Sequence, residues 1–260
     1  MIGPLPYVGG KNRLARHIVS LFPPHTTYVE AFAGGAQVFY RKSPSEVEVL
    51  NDLDGELFNF LRVLQSHHDE LVRYLRFCIV SRSWHALFAR MDPTLLTDVQ
   101  RAVRFFYLQK NSFGGLIRKQ CFHYGIVQRP NFNPERIPEQ LADAADRLKH
   151  VQLENVPYQD VLARYDRPTT LFYLDPPYYD IRLYRHNLER EDFEEMAERL
   201  SKIEGKFLLS LNDHPDVREI FKAFSIRPIT LAYSAQPKAG KRFNEVLISN
   251  YTPSPPCERQ

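Results

Sequence analysis

The periodicity of the chain changes twice along its length, and this constrains the fold more than any single motif. Short runs rich in apolar, β-branched and aromatic residues lie at Thr27–Glu30 and Val47–Leu50, then at Val151–Val156, Leu171–Leu174, Lys206–Leu211, Ile226–Tyr233 and Glu245–Asn250. Runs of this length bounded by turn residues predict strands. Around several of them the apolar spacing becomes helical, at Asn12–Leu21, Gln37–Lys42, Asp192–Ile203 and Asp216–Phe224. Strands alternating with helices predict an α/β sheet with helices on its faces. From Glu56 to Lys110, by contrast, apolar positions recur at helical spacing with few strand signals, which predicts a mainly helical subdomain inserted between two halves of that sheet. The Pro- and Asn-rich stretch Gln128–Pro138 reads as the return of the chain. The expected organisation is an α/β domain of residues 1–55 and 151–260, interrupted by a subdomain of residues 56–150.

At 260 residues, 43% hydrophobic and 25% charged, the composition excludes disordered and fibrous classes. No stretch approaches the roughly 18 uninterrupted apolar residues of a membrane span. Met1-Ile2-Gly3-Pro4 lacks the charged and apolar regions of a signal peptide, so the expected location is the cytoplasm. Cys78, Cys121 and Cys257 are odd in number and lack metal-ligand spacing, which predicts reduced thiols and no metal site. The net charge of +3 hides an uneven distribution: between Arg73 and Pro130 ten basic residues face only Asp92 and Asp98. Aromatic residues such as Tyr74, Trp84, Phe105, Phe113 and Tyr124 interleave with them. That combination suits contact with phosphates and stacking on bases, although many of these side chains also suit a helical core with a solvated face.

Two local patterns carry chemistry. In Tyr28-Val29-Glu30-Ala31-Phe32-Ala33-Gly34-Gly35-Ala36 a strand enters a glycine turn and then a helix, where glycine lets backbone approach a nucleotide-like ligand at the carboxyl edge of a sheet. Asp52, at the end of the next strand, is placed to accept hydrogen bonds from both hydroxyls of a ribose; Gly-Gly turns near an acid also occur in unrelated α/β proteins. The second pattern is more specific. Leu171-Phe172-Tyr173-Leu174 leads into Asp175-Pro176-Pro177-Tyr178, where two prolines fix an extended backbone that has no N–H donors of its own. Such a turn offers the Asp175 carboxylate and the Pro176 carbonyl as rigid acceptors and the Tyr178 ring as a stacking face. Two acceptors and a stacking plane match an exocyclic amino group on a planar base, whereas the plainer alternative is a turn that merely ends a strand.

With these motifs in hand, the chain resembles the Dam-like DNA adenine-N6 methyltransferases over nearly its whole length. Pro4-Leu5-Pro6-Tyr7-Val8-Gly9-Gly10-Lys11 resembles that family's opening motif, Glu30-Ala31-Phe32-Ala33-Gly34-Gly35 its cofactor loop, and Asp175-Pro176-Pro177-Tyr178 its catalytic motif, in the family's order. The resemblance implies a Rossmann-like sheet that binds S-adenosylmethionine, with Lys11 pairing the methionine carboxylate, Tyr7 covering the cofactor and Glu30 near its amino end. Phe32 and Gly34 would line the pocket, Asp52 would hold the ribose, Asp160 would contact the cofactor adenine, and Asp175 would border the cofactor as well as the target base. It further implies double-stranded DNA as partner and a flipped adenine stacked on Tyr178. Phe113 would be the intercalating ring and Arg118 a base contact, within a stretch that includes Lys110, Asn111 and Gly114. Gly114 stands where members that read GATC commonly carry asparagine, so no target sequence transfers with the resemblance. Tyr179–Asn187 reads as a closing loop, and Lys238, Lys241, Arg242 and Asn244 as a second basic loop. A methyltransferase of RNA adenine or of a glutamine amide, and a non-catalytic DNA-binding relative, are the alternatives.

Overall fold

The computed structural model describes residues 1–7, 9–112, 121–122, 131–182, 184–229 and 245–253. Seven strands form one sheet: β1 (Thr27–Glu30), β2 (Val47–Asn51), β3 (Gln152–Glu154), β4 (Thr170–Leu174), β5 (Lys206–Asn212), β6 (Ser225–Ile229) and β7 (Glu245–Ser249). Their order is β3-β2-β1-β4-β5-β7-β6. The five strands from β3 to β5 run parallel, and β7 is antiparallel to both β5 and β6. The chain works outward from β1 to β3 on one side and then outward from β4 on the other. The switch point therefore lies between β1 and β4, and ligands of open α/β sheets bind outside the carboxyl ends of the strands at such a point.

Side chains alternate across the pleat into two cores, as they must when both faces of a sheet are covered. Tyr28, Leu50, Leu171, Tyr173, Leu208 and Leu247 face one core, while Val29, Val49, Phe172, Leu174, Leu209 and Ile248 face the other. The first core also receives α1 (Ala15–Ser20), α2 (Gln37–Arg41) and the helices of the long excursion between β2 and β3. The second receives α8 (Tyr158–Tyr165), α9 (Arg190–Leu200) and α10 (Pro215–Ile220).

The excursion comprises α3 (Gly55–Ser66), α4 (His68–Leu75), α5 (Arg82–Arg90), α6 (Asp98–Asn111) and α7 (Ile137–Leu148), and no strand is described within it. Helix α6 runs through its middle and buries Phe105, Phe106, Tyr107 and Leu108 in succession, so it is covered on several sides. Phe106 stacks on Phe60 of α3 at 5.6 Å with an interplanar angle of 13°. Burial of each such ring contributes about 1.5–3 kcal/mol. Thr97 and Gln100 close a capping box that starts α6, a device worth about 1 kcal/mol.

Glu48 of β2 accepts from Lys42 at 2.5 Å and from Arg147 of α7, so the excursion is ionically fastened to the sheet. Gln65 of α3 adds two hydrogen bonds, to the carbonyls of Leu148 (2.7 Å) and Val151 (2.8 Å), where the chain returns to β3.

Helix α8 lies where the sequence reading placed none, and α7 lies within the expected 56–150 helical subdomain but beyond its Glu56–Lys110 helical run. Helix α7 begins beside Pro138, whose fixed φ suits a first helical turn. Its buried residues Ile137, Leu141, Ala144 and Leu148 follow one face. Helix α8 is short and buries Tyr158, Val161 and Leu162 at the same kind of spacing. Helix α1 starts at Ala15 rather than Asn12, and β6 is described only as far as Ile229. Among the described residues no helix is long and apolar enough to cross a membrane. Phe113, Gly114, Arg118 and the 238–244 basic loop lie outside the described residues.

Candidate active site

The carboxyl ends of β1 and β2 and the turn after β4 converge on one cavity of about 290 Å³. Beyond Glu30 the chain enters the glycine turn with Gly34 at φ +49°, and Ala36, also left-handed, starts α2. A Cβ on Gly34 would lie 3.1 Å from the Tyr7 ring, so both the φ value and the close approach of Tyr7 call for glycine. The turn is stitched to β2: Ala33 N–H donates to the Asn51 carbonyl (2.8 Å), Gly34 N–H to Asp52 Oδ2 (2.8 Å), and Asn51 Nδ2 to the Ala31 carbonyl (2.9 Å). Asp52 Oδ1 accepts a second backbone N–H, from Asp54 at 2.9 Å.

Tyr7, Lys11, Glu30, Phe32, Gly34, Asp52 and Asp175 all line this cavity, so the structure brings together residues that are up to 168 positions apart. Phe32 packs against Tyr158 with ring centroids 5.3 Å apart. Burial pushes the Glu30 carboxyl up to about 8 despite a 2.7 Å hydrogen bond from Tyr28. Burial likewise raises Asp52 to about 6, against the opposing pull of the Asp54 and Gly34 N–H groups. Asp54, also in the lining, accepts from Glu56 N–H and Arg185 on Oδ1, and its buried Oδ2 has no hydrogen-bond partner among the described residues. Tyr184, Arg185 and His186 close one side.

The Asp175 turn adjoins the cavity through Asp175 and Pro177, whereas Pro176 and Tyr178 are not among its lining residues. Lys11, 4% exposed, donates to Asp175 Oδ1 (2.6 Å) and to the Tyr178 hydroxyl (2.9 Å). Ser210 of β5 donates to the same Oδ1 at 2.9 Å and also meets the Tyr173 hydroxyl at 3.1 Å. Tyr178 in turn donates to Glu245 Oε1 at 2.6 Å. Asn212, at the end of β5, clamps the turn by accepting from Tyr179 N–H (2.9 Å) and donating to the Tyr179 carbonyl (3.2 Å).

Three residues singled out in the sequence stand elsewhere. Asp160 is exposed on the first turn of α8 and does not line the cavity; its neighbours Pro157, Tyr158 and Gln159 do. Asn111 is buried, and its amide donates back to the Tyr107 carbonyl at 2.9 Å, so it presents no outward face. Lys110 leans on the Phe106 ring at 5.3 Å and reaches Gln140 of α7 at 3.5 Å. Conversely, Ser210, Asn212, Glu245 and Asp54 were not singled out. Only the position of Asp54, two residues before an acidic first helical turn, carried a local signal, that of an N-cap.

A seven-stranded sheet of this order, with one antiparallel strand and a glycine turn facing an acid at its switch point, is the Rossmann-like architecture of S-adenosylmethionine-dependent methyltransferases. Residues 7–234 match the model of the D12 class N6 adenine-specific DNA methyltransferases, and the chain belongs to that family. The chain is similar to the Type II methyltransferase M1.LlaDCHI of Lactococcus lactis subsp. cremoris, with 24% identity over 94% of each chain. It is also similar to the Type II methyltransferase M.CviBI of Paramecium bursaria Chlorella virus NC1A, at 23% identity over 94% of this chain and 97% of the relative. The DNA N-6-adenine-methyltransferase of Escherichia phage P1 matches 91% of this chain at 23% identity, but this chain spans about a third (33%) of that relative. As a family member the protein is an N6-adenine DNA methyltransferase that uses S-adenosylmethionine.

Among the described residues there is no group of His, Cys, Asp or Glu that could hold a metal ion. The lining of the cavity fits the family's cofactor. A glycine cradle lies under an aromatic ring, two carboxyls are held at raised pKa, and the buried Asp54 Oδ2 has no donor among the described residues. A set of this kind suits a ligand that brings hydroxyls and an ammonium.

Proposed function

We infer that this protein methylates N6 of an adenine that has been flipped out of duplex DNA within a particular short sequence, and that it works in the cytoplasm. The observation that carries the reading is the Asp175 carboxylate, fixed on Oδ1 by Lys11 and Ser210, beside a cavity built for a nucleoside. Glu30 would hold the cofactor's ammonium, Asp52 and Asp54 its hydroxyls, and Tyr7 and Phe32 the faces of its rings. Bound there, S-adenosylmethionine supplies a methyl group activated by its sulfonium.

The chain's own contribution is positioning and charge. Adenine's amino group is a weak nucleophile because its lone pair is delocalised into the ring. Asp175 Oδ2, which neither Lys11 nor Ser210 uses, and the Pro176 carbonyl accept the two N6 hydrogens, favour a pyramidal nitrogen and stabilise the positive charge that develops on it. Extrusion of the base costs about a few kcal/mol. The Tyr178 ring compensates part of that by stacking, and Phe113 fills the gap left in the duplex. The basic, aromatic excursion of residues 56–150 supplies phosphate contacts, and Arg118 supplies a base contact.

The test is incubation with mixed-sequence duplex DNA and methyl-labelled cofactor, followed by nucleoside digestion and mapping of the label. Label in N6-methyladenine within one short motif is the expected result. Absence of label in DNA, with the cofactor bound, overturns the reading and moves the substrate to RNA or protein.

A second expectation concerns protons. With its pKa raised to about 8, Glu30 is protonated at neutral pH in the ligand-free protein. An ammonium placed beside it favours the charged form. Cofactor binding at neutral pH is therefore expected to release close to one proton. It is read as a difference in calorimetric enthalpy between buffers of different ionisation heat, and Glu30→Gln should abolish that difference. An unchanged difference in the variant would remove Glu30 from the ammonium site.

A further inference from the structure

Strand β7 runs against its neighbour β5, so its first residue lies at the edge where the parallel strands end. The register pairs Glu245 with Asn212, the last residue of β5. A residue from the far end of the sequence is thus delivered to the catalytic edge by strand direction alone. Glu245 is 9% exposed, and its Oε2 has no hydrogen-bond partner among the described residues. A buried, half-satisfied carboxyl costs stability unless it serves something else. Its other oxygen accepts from Tyr178 at 2.6 Å, Tyr178 accepts from Lys11 at 2.9 Å, and Lys11 donates to Asp175 at 2.6 Å. The four side chains form one unbroken hydrogen-bonded path from the catalytic carboxylate to Glu245.

We propose that Glu245 is the final acceptor of the proton that N6 loses on methylation, and that it acts through Tyr178 and Lys11. The proposal rests on the adenine-N6 reading above. As the N6–C bond forms, the methyl's bond to sulfur breaks and its electron pair stays on sulfur, so N6 is left with a positive charge and one proton too many. The N–H bond breaks toward Asp175 Oδ2, and rotation of the protonated carboxyl brings that proton to the side that Lys11 faces. Lys11 passes a proton to the Tyr178 oxygen as Tyr178 passes its own to Glu245, and Lys11 regains one from the Asp175 carboxyl. The balance leaves Asp175 ionised, Lys11 an ammonium, Tyr178 a phenol and Glu245 neutral, ready to discharge to solvent. No co-reactant is required. Glu245 touches neither substrate nor cofactor, so it is a positioning residue of the reaction.

Among the described residues, the titratable groups facing Glu245 are Lys11, Tyr178 and Asp175, with Tyr173 and Tyr184 farther off. Burial pushes the Glu245 carboxyl above its ordinary range; Lys11 and the Tyr178 hydrogen bond oppose the rise and Asp175 adds to it. Glu245 must be ionised to receive the proton, so the path is open above that raised pKa and closes as pH falls through it.

The experiment is single-turnover methyl transfer to duplex DNA as a function of pH, with saturating cofactor, for the wild type, Glu245→Gln, Glu245→Asp and Tyr178→Phe. Cofactor and DNA affinities are measured alongside. Expected for Glu245→Gln is a rate lower by about 100-fold, in the range of general-base effects, with the acid limb gone and both affinities unchanged. Glu245→Asp should restore part of the rate together with an acid limb. Tyr178→Phe keeps the stacking ring but breaks the path one link earlier, so it should lose the same limb, and it decides the matter should Glu245→Gln fail to fold. Variants that keep the wild-type rate and limb overturn the relay while the adenine reading stands. A wild type that leaves no label on DNA adenine overturns both.

Discussion

Asp175→Ala is expected to slow methyl transfer by about three orders of magnitude, on the order of 4 kcal/mol of transition-state stabilisation, with cofactor affinity nearly unchanged. The size follows from what the carboxylate does. Its Oδ1 is fixed by two donors, Lys11 at 2.6 Å and Ser210 at 2.9 Å, so Oδ2 meets the developing charge on N6 already oriented. An acceptor that needs no reorganisation at the moment of reaction is worth more than the same group in water. The substitution also leaves the Lys11 side chain, 3% exposed, without its anionic partner, which lowers stability. Circular dichroism and thermal melting must therefore accompany the rate. Asp175→Asn keeps the shape and an acceptor oxygen, and should recover part of the loss. A fully active Asp175→Ala protein would remove this carboxylate from the mechanism.

The sequence revealed elements whose signal is local. β1 lies at Thr27–Glu30 and β4 one residue longer than its apolar run, because a fully buried parallel strand is written as consecutive apolar residues. Gly34, Asp52 and Asp175 could be picked out for the same reason, each sitting at a strand end or in a turn that suits its residue type, whereas Glu30 came with the family resemblance. What could not be read is contact between distant segments. Lys11 meets Asp175 across 164 positions, and Ser210 and Glu245 sit inside or at the start of apolar runs that look like plain core strands. Their catalytic address comes from strand order and direction, which periodicity does not encode. Helices α7 and α8 failed for a different reason. Pro138 closed a stretch read as the return of the chain, and nothing in the sequence reading marked Pro157; yet each stands at a helix start, where the missing N–H costs nothing. Asn111 shows the converse error: a polar residue beside a basic stretch looks like a contact for DNA, but the helix turns it inward.

Glu48→Gln is expected to destabilise the fold by about 3 kcal/mol, since loss of one partner from a buried ion cluster typically costs about 3–5 kcal/mol and glutamine keeps some of the acceptor capacity. Among the described residues Glu48 is the anion that pairs with both Lys42 and Arg147; the Glu48, Lys42 and Arg147 side chains are 5%, 3% and 12% exposed. Both cations also stand over rings, Lys42 over Tyr28 at 4.5 Å and Arg147 over Phe39 at 3.8 Å. Aromatic faces soften the loss without replacing a carboxylate. The midpoint of thermal unfolding should fall by roughly 6–12 °C, taking about 2–4 °C per kcal/mol for a chain of this size. Acid dependence should change too. Burial works to raise the Glu48 pKa, but hydrogen bonds from Arg147 and Lys42 outweigh it and hold the group below the ordinary carboxylate range. A depressed folded-state pKa gives stability that is present above the unfolded pKa and is lost as pH falls through the folded one. Wild-type stability should therefore drop more steeply in acid than that of Glu48→Gln, as measured by denaturant unfolding at a series of pH values; parallel curves would show that the cluster is not ionised as drawn. Replacing Lys42, Glu48 and Arg147 together by apolar residues of similar volume should cost far less than the single change, because no charge is left buried alone. The cluster joins β2, which leads to Asp52, to α7 of the excursion. The single change should therefore also raise the salt sensitivity of DNA methylation before it affects cofactor affinity, since the first joint to loosen is the one that holds the basic excursion against the sheet.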